Sequence, residues 1–158
     1  MYPCCPGHCC QPNDAAQAYV QAWLKRVDTW IALPREAWPA HGLNDEGTPN
    51  YDQPVVLLLR ALCGHPDAGT YWEQHCDDVV RKIGVLPIQT WPSCYYHPTW
   101  KLILSVYVDD FKLSGPDTYM EVSWIHLQQH LEMEEPVPAG LYVGGKLSCV
   151  TSNVDNDK

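Results

Sequence analysis

The sequence predicts an α+β fold in which an antiparallel sheet carries two helices on one face. Alternating apolar and polar residues between 93 and 114, broken by short turn-forming stretches, read as a three-stranded meander. Two flanking segments, 68–83 and 117–131, repeat apolar residues at three- and four-residue steps, the spacing of a helix with one buried side. With 158 residues, 46% of them hydrophobic and 18% charged, the chain has material for one modest core.

The elements follow in order. Residues 1–11 are rich in Cys, Pro and Gly and are expected to form an unstructured leader. Residues 14–27 are rich in Ala and Gln and read as a short helix, with the Asp14 carboxylate placed to cap its first backbone N–H groups. Thr29, Trp30, Ile31 and Leu33 make a brief extended run that Pro34 ends. Pro, Gly, Asn and Asp then mark a loop over 38–54, and Val55 to Leu59 reads as a buried strand. Ala68, Tyr71, Trp72, Cys76, Val79, Val80 and Ile83 place a core-facing helix that ends at Gly84. The meander uses 93–97, 102–107 and 111–114, and the second helix shows Met120, Trp124, Leu127 and Leu131 on one side. A last strand is expected over 141–147, and the polar, aperiodic tail 148–158 is expected to be disordered.

Charge and cysteine usage restrict function. Ten Lys and Arg against nineteen Asp and Glu give a formal charge of -9, which disfavours a free-standing nucleic-acid binder. The longest apolar run, Val55 to Leu59, is closed by Arg60, far short of the roughly 20 residues a spanning helix needs, so no membrane role is expected. The opening lacks a basic start followed by an apolar block, and an intracellular location, cytoplasmic or nuclear, is expected. Cys4, Cys5, His8, Cys9 and Cys10 crowd together instead of spreading as paired ligands, so zinc is disfavoured. His126 and His130 are spaced as chelators on one helix but lack a third ligand nearby in sequence, and His75 reads as a core histidine. Glu132, Glu134 and Glu135 read as a solvated helix end.

The segment that carries chemistry is Tyr107-Val108-Asp109-Asp110, two adjacent acids between the apolar runs LILSVYV and FKL. Brought to one point at a tight turn, the two carboxylates repel and raise each other's proton affinity. A divalent cation relieves that conflict, and hard oxygen ligands suit magnesium or manganese, ions that also take phosphates. A solvated hairpin turn uses the same residues, since Asp is a common turn former.

YVDDFKLSG resembles the tyrosine-x-aspartate-aspartate motif of reverse transcriptases in the form found in copia-type retrotransposon polyproteins. The segment DAAQAYVQAWL from Asp14 is similar to that family's first acidic motif, with Asp14, Ala18, Tyr19, Ala22 and Leu24 matching. TWIALPREAWP is similar to its short strand ending in Pro, and RALCGHPDAGTYW to its Leu-Tyr-Gly-Leu-Lys-Gln segment, with Ala61, Leu62, Gly64 and Trp72 in register. LYVGGK resembles the Leu-Gly element after the palm helix.

The resemblance implies a reverse-transcriptase palm over 12–147 with the fingers largely missing. It implies that Asp14, Asp109 and Asp110 hold two magnesium (or manganese) ions for transfer of deoxynucleotides onto a primer 3′-hydroxyl. Tyr19 would gate the sugar 2′-position, Tyr107 would floor the base pair, and Gly64 and Asp67 would lie by the incoming nucleotide. The implied partners are an RNA or DNA template with primer, deoxynucleoside triphosphates, and polyprotein segments supplied in trans. The alternative is a catalytically inert retrotransposon remnant with the same fold. Pro66 and Asp67 depart from the family's Lys-Gln, and Pro6, Gly7 and Pro12 are expected to weaken the strand that leads into Asp14.

Overall fold

The computed structural model describes residues 5–25, 28–38, 44, 50–136 and 141–146. The tail 148–158 and most of the 38–54 loop lie outside them. The fold is α+β, centred on a five-stranded antiparallel sheet. Its strands are β1 (His8–Asp14), β4 (Leu86–Pro87), β5 (Cys94–His97), β6 (Leu102–Tyr107) and β7 (Asp110–Pro116), in the spatial order β1-β7-β6-β5-β4. Two further pairs stand apart from it, β2 (Trp30–Ala32) with β3 (Val55–Leu57), and β8 (Leu141–Tyr142) with β9 (Gly145–Lys146).

Both long helices lie on one face of the sheet, as the periodicity predicts. Along β6 and β7 the side chains alternate, and Leu102, Leu104, Phe111 and Leu113 are the buried set. They meet Trp72, Cys76, Val79 and Val80 of α2 (Ala68–Lys82) and Met120, Trp124 and Leu127 of α3 (Met120–Gln128) in one core. The Trp124 indole is buried to 1% exposure and donates Nε1–H to Gln11 Oε1 at 2.8 Å, which ties α3 to the edge strand. α2 ends where Gly84 takes φ 85°, a left-handed conformation that glycine adopts without a Cβ clash.

Four expectations are corrected. The expected leader gives way to β1 at His8, because the strand finds a full ladder partner in β7 from His8↔Pro116 to Asp14↔Asp110. Pro12 is tolerated within it because β1 is an edge strand, where a residue without an N–H leaves little unpaired. The helix expected over 14–27 shrinks to the single turn α1 (Ala18–Gln21). On one side Ala15 N–H and Ala16 N–H donate to Asp109 and Glu132 carbonyls; on the other, Ala61 N–H donates to Ala22 O and Leu24 N–H to Leu59 O. Backbone groups committed to these partners cannot join a helix ladder.

The strand at Val55–Leu57 is exposed along its whole length, not buried; among the described residues it pairs with β2 alone and no helix covers it. Finally, the single last strand expected over 141–147 is a tight hairpin, β8 and β9, turning through Val143 at φ 48° and Gly144 at φ 72°. Among the described residues no helix is long and apolar enough to cross a membrane.

Candidate functional site

The site grows from the turn between β6 and β7. Tyr107 and Asp110 are the last paired residues, leaving only Val108 and Asp109 to reverse the chain. Val108 has φ 56°, a region that a β-branched residue occupies at a cost of about 1–3 kcal/mol. The turn keeps that conformation with help from α2. The Trp72 indole, itself buried, donates Nε1–H to the Val108 carbonyl at 2.6 Å. A helix of the core thus holds the tip of the hairpin that presents both acids.

Asp14 reaches the same place from the neighbouring strand. It pairs in register with Asp110, so the two side chains leave the same face of the sheet side by side. Ala15 N–H donates to Asp109 O at 2.8 Å, and Glu134 N–H donates to Asp14 O at 2.9 Å. The segment after α3 therefore flanks Asp14, with an isolated bridge between Ala15 and Met133. Gln21 stitches that flank closed: its Nε2 donates to the carbonyls of Ala16 and Glu132 at 2.7 and 2.8 Å, and its Oε1 accepts from Glu132 N–H at 2.9 Å. The expectation that Pro6, Gly7 and Pro12 leave this strand weak is corrected, since Asp14 is clamped by β7 and by 132–134. The acidic stretch read as a solvated helix end contributes its backbone to that clamp.

The electrostatics match the crowding. Burial pushes the Asp110 carboxyl above the ordinary carboxylate value, and a hydrogen bond in which it donates to Asp14 pushes it further. The charges of Asp14 and Asp109 act in the same direction, while the Val143 backbone N–H, donating to Asp110, acts against them. Two hard-oxygen ligands in contact, one with raised proton affinity, are a donor set that suits a hard divalent cation. Among the described residues, no group of three or more His, Cys, Asp or Glu side chains converges to hold a metal ion.

The other residues named from sequence fall in two places. Tyr19, on α1, is half-buried and borders a cavity of about 290 Å³ with Trp72, Tyr95, Tyr107 and Val108. It also lines a shallower hollow with Val108, Asp109 and Cys63. Tyr107 is 60% exposed at the end of β6, opposite Asp110. Gly64 and Asp67 lie in the exposed turn that leads into α2 and border neither hollow. The Asp67 side chain caps nothing, although it precedes the helix.

His75 is half-buried beside a polar groove that also contains Arg60 and His130, and is not a core residue. His126 does not pair with His130 but stacks on Trp100, with ring centroids 5.4 Å apart. Trp100 also stacks on His97 at 4.2 Å, and its backbone N–H donates to His97 Nδ1 at 3.1 Å.

Sequence reasoning missed Gln21, the 132–134 flank and the β8–β9 hairpin as parts of the site. Each role depends on which distant backbone groups the segment meets, through the Gln21 side-chain amide or through the backbone of 132–134, and that is not written in residue type. Trp72 had a signal, its register in the RALCGHPDAGTYW segment, but its bond to Val108 is a tertiary contact.

Neither a protein-family model nor any curated protein matches this chain.

Proposed function

We propose that the chain is the palm of a copia-type reverse transcriptase, transferring deoxynucleotides onto a primer 3′-hydroxyl in the cytoplasm or nucleus. The observation that carries this reading is the in-register pairing of Asp14 with Asp110 beside the Asp109 turn. Residues 96 positions apart in sequence, picked out by separate motifs, meet at one end of one sheet face.

Asp14 and Asp110, with Asp109 at the turn, would hold magnesium or manganese. Bound there, such ions would supply Lewis acidity to lower the pKa of the primer hydroxyl and steady the triphosphate. The chain's own residues do the positioning. Trp72 fixes the turn that presents Asp109, and Gln21 with the 132–134 backbone fixes Asp14. Placement matters because a displacement of about 1 Å at a catalytic group costs about a hundredfold in rate. Tyr19 stands beside Asp109, where an aromatic ring can exclude a 2′-hydroxyl. With a net charge of -9, the chain needs basic partner segments in trans to neutralise template phosphates.

Primer extension on an RNA template with deoxynucleotides and Mg²⁺ or Mn²⁺ tests the reading. Extension by the native chain, lost in the Asp109→Asn, Asp110→Asn double variant, is the expected result. No extension by folded native protein, alone or with added basic segments, would leave a polymerase-like fold without polymerase activity.

A further inference from the structure

The polar groove beside α1, α2 and the end of α3 has a volume of about 820 Å³, within the range of small-molecule sites, and none of Asp14, Asp109 and Asp110 lines it. Arg60 is held there by backbone and side chain alike. Its backbone forms an isolated bridge with Trp23, flanked by Ala61 N–H donating to Ala22 O at 2.9 Å and Leu24 N–H to Leu59 O at 3.0 Å. Its guanidinium lies over the Trp23 ring, 3.7 Å from the centroid, and Nη1 donates to the Gln21 carbonyl at 2.6 Å. The fork keeps further N–H donors, and among the described residues no carboxylate pairs with it. A stacked guanidinium fixed in this way loses little freedom when it takes an oxyanion. His75 lines the same groove and is half-buried. Burial lowers its imidazole below the ordinary value, Arg60 and Lys82 push it further down, Asp78 acts against them and Lys25 with them. The field at this ring is positive on balance, in a chain of net charge -9, and the neutral ring is an N–H donor. Gln129, Glu132 and Glu135 line the groove as exposed side chains, an amide and two carboxylates that suit hydroxyl groups.

We propose that this groove binds a small sugar phosphate: Arg60 and His75 take the phosphate, and Gln129, Glu132 and Glu135 take the hydroxyls of the sugar. A planar fork matches the geometry of phosphate oxygens, and its bonds to them are charge-assisted. A bare anion would be repelled by the two carboxylates, and a neutral sugar would leave Arg60 without a counter-charge. A molecule bearing both groups satisfies both parts of the lining. The site is distinct from the acidic pair and stands whether or not that pair holds a cation.

The test is calorimetric titration of the full chain with ribose-5-phosphate, inorganic phosphate and ribose. Ribose-5-phosphate is expected to bind, with inorganic phosphate weaker and ribose weakest. Arg60→Gln is expected to lose at least about tenfold in affinity, and Arg60→Lys, which keeps the charge without the fork, to lose less. The His75 ring, followed in ¹H–¹⁵N spectra, is expected to titrate at higher pH with ligand bound, because a phosphate beside it favours the charged form. No binding of ribose-5-phosphate by folded native chain overturns the proposal, as does equal affinity in native chain and Arg60→Gln. Inorganic phosphate binding as tightly as ribose-5-phosphate would remove the sugar from it. Tighter binding of a single-stranded DNA oligonucleotide, lost in Arg60→Gln, would overturn it in favour of a nucleic-acid contact. Should Arg60→Gln fail to fold, the native spectra decide: ribose-5-phosphate that moves neither the Arg60 Nε–H nor the His75 ring signals overturns the proposal.

Discussion

The β6–β7 hairpin and the β2–β3 pair are both antiparallel ladders built from strand-forming residues, and they end in opposite situations. β6 and β7 place Leu102, Leu104, Phe111 and Leu113 under α2 and α3, where they are almost fully buried. β2 and β3 carry Trp30, Val55, Val56 and Leu57, and all four remain exposed. Intrinsic preference is satisfied in both places. What separates them is a covering layer, because a two-stranded ladder alone is marginal in water and gains its stability from a packed face. The first hairpin is stable enough to hold Val108 in an unfavourable backbone conformation at its tip, with Trp72 bonded to it. Strain of this kind is found where surrounding packing over-determines the geometry.

Substitutions sharpen that contrast. The largest effect is expected at Trp124, which fills the core and bonds Gln11. Trp124→Ala should cost about 3–5 kcal/mol in urea unfolding, and a loss under about 1 kcal/mol would show that the helices do not stabilise the sheet. Trp72→Phe keeps most of the buried ring but leaves the Val108 carbonyl without its donor. A loss of about 1–2 kcal/mol is expected from the same measurement. At Val108 the sign reverses, since glycine accepts φ 56° freely: Val108→Gly should stabilise the fold by up to about 1 kcal/mol.

The pH dependence probes the far end of the same sheet. Burial lowers the His97 imidazole below its ordinary value, and the nearby His126 pushes it the same way. Its Nδ1 accepts the Trp100 N–H, a role that needs the neutral ring, while bonds to the backbone at His97 and Ile83 act against the shift. The folded pKa is therefore below the unfolded one. The contribution is complete above about pH 6.5 and is lost as pH falls through the folded value. His75 carries a shift of the same sign, caused first by burial and then by Arg60 and Lys82. Urea midpoints measured from pH 8 to pH 5 should fall, and His97→Phe should flatten part of that fall. An equally steep profile in the variant would remove His97 from the account. The smallest effect belongs to the uncovered ladder, where Val56→Thr is expected to change stability by less than about 0.5 kcal/mol.

Much of this was legible in the residues themselves. The meander, the two helices and their shared face follow from apolar spacing, and α2 begins at Ala68 and stops before Gly84 as the pattern requires. A turn at Asp109 was legible because two acids separate two apolar runs, although Asp110 already belongs to β7. Burial of Val55–Leu57 was not legible, since a short apolar run looks the same covered or bare. Nor was the length of α1, where Ala and Gln favour a helix that the neighbouring backbone partners cut to one turn.

The sequence by itself determined the α+β class, the core-facing side of each long helix and the identity of the acids, because side-chain periodicity and residue chemistry are local properties. Only the tertiary structure decided that Asp14 faces Asp110, that Trp72 holds Val108, and that the 132–134 backbone flanks Asp14. Those outcomes depend on strand register and on which distant backbone groups a side chain or backbone meets, and no residue type announces that meeting.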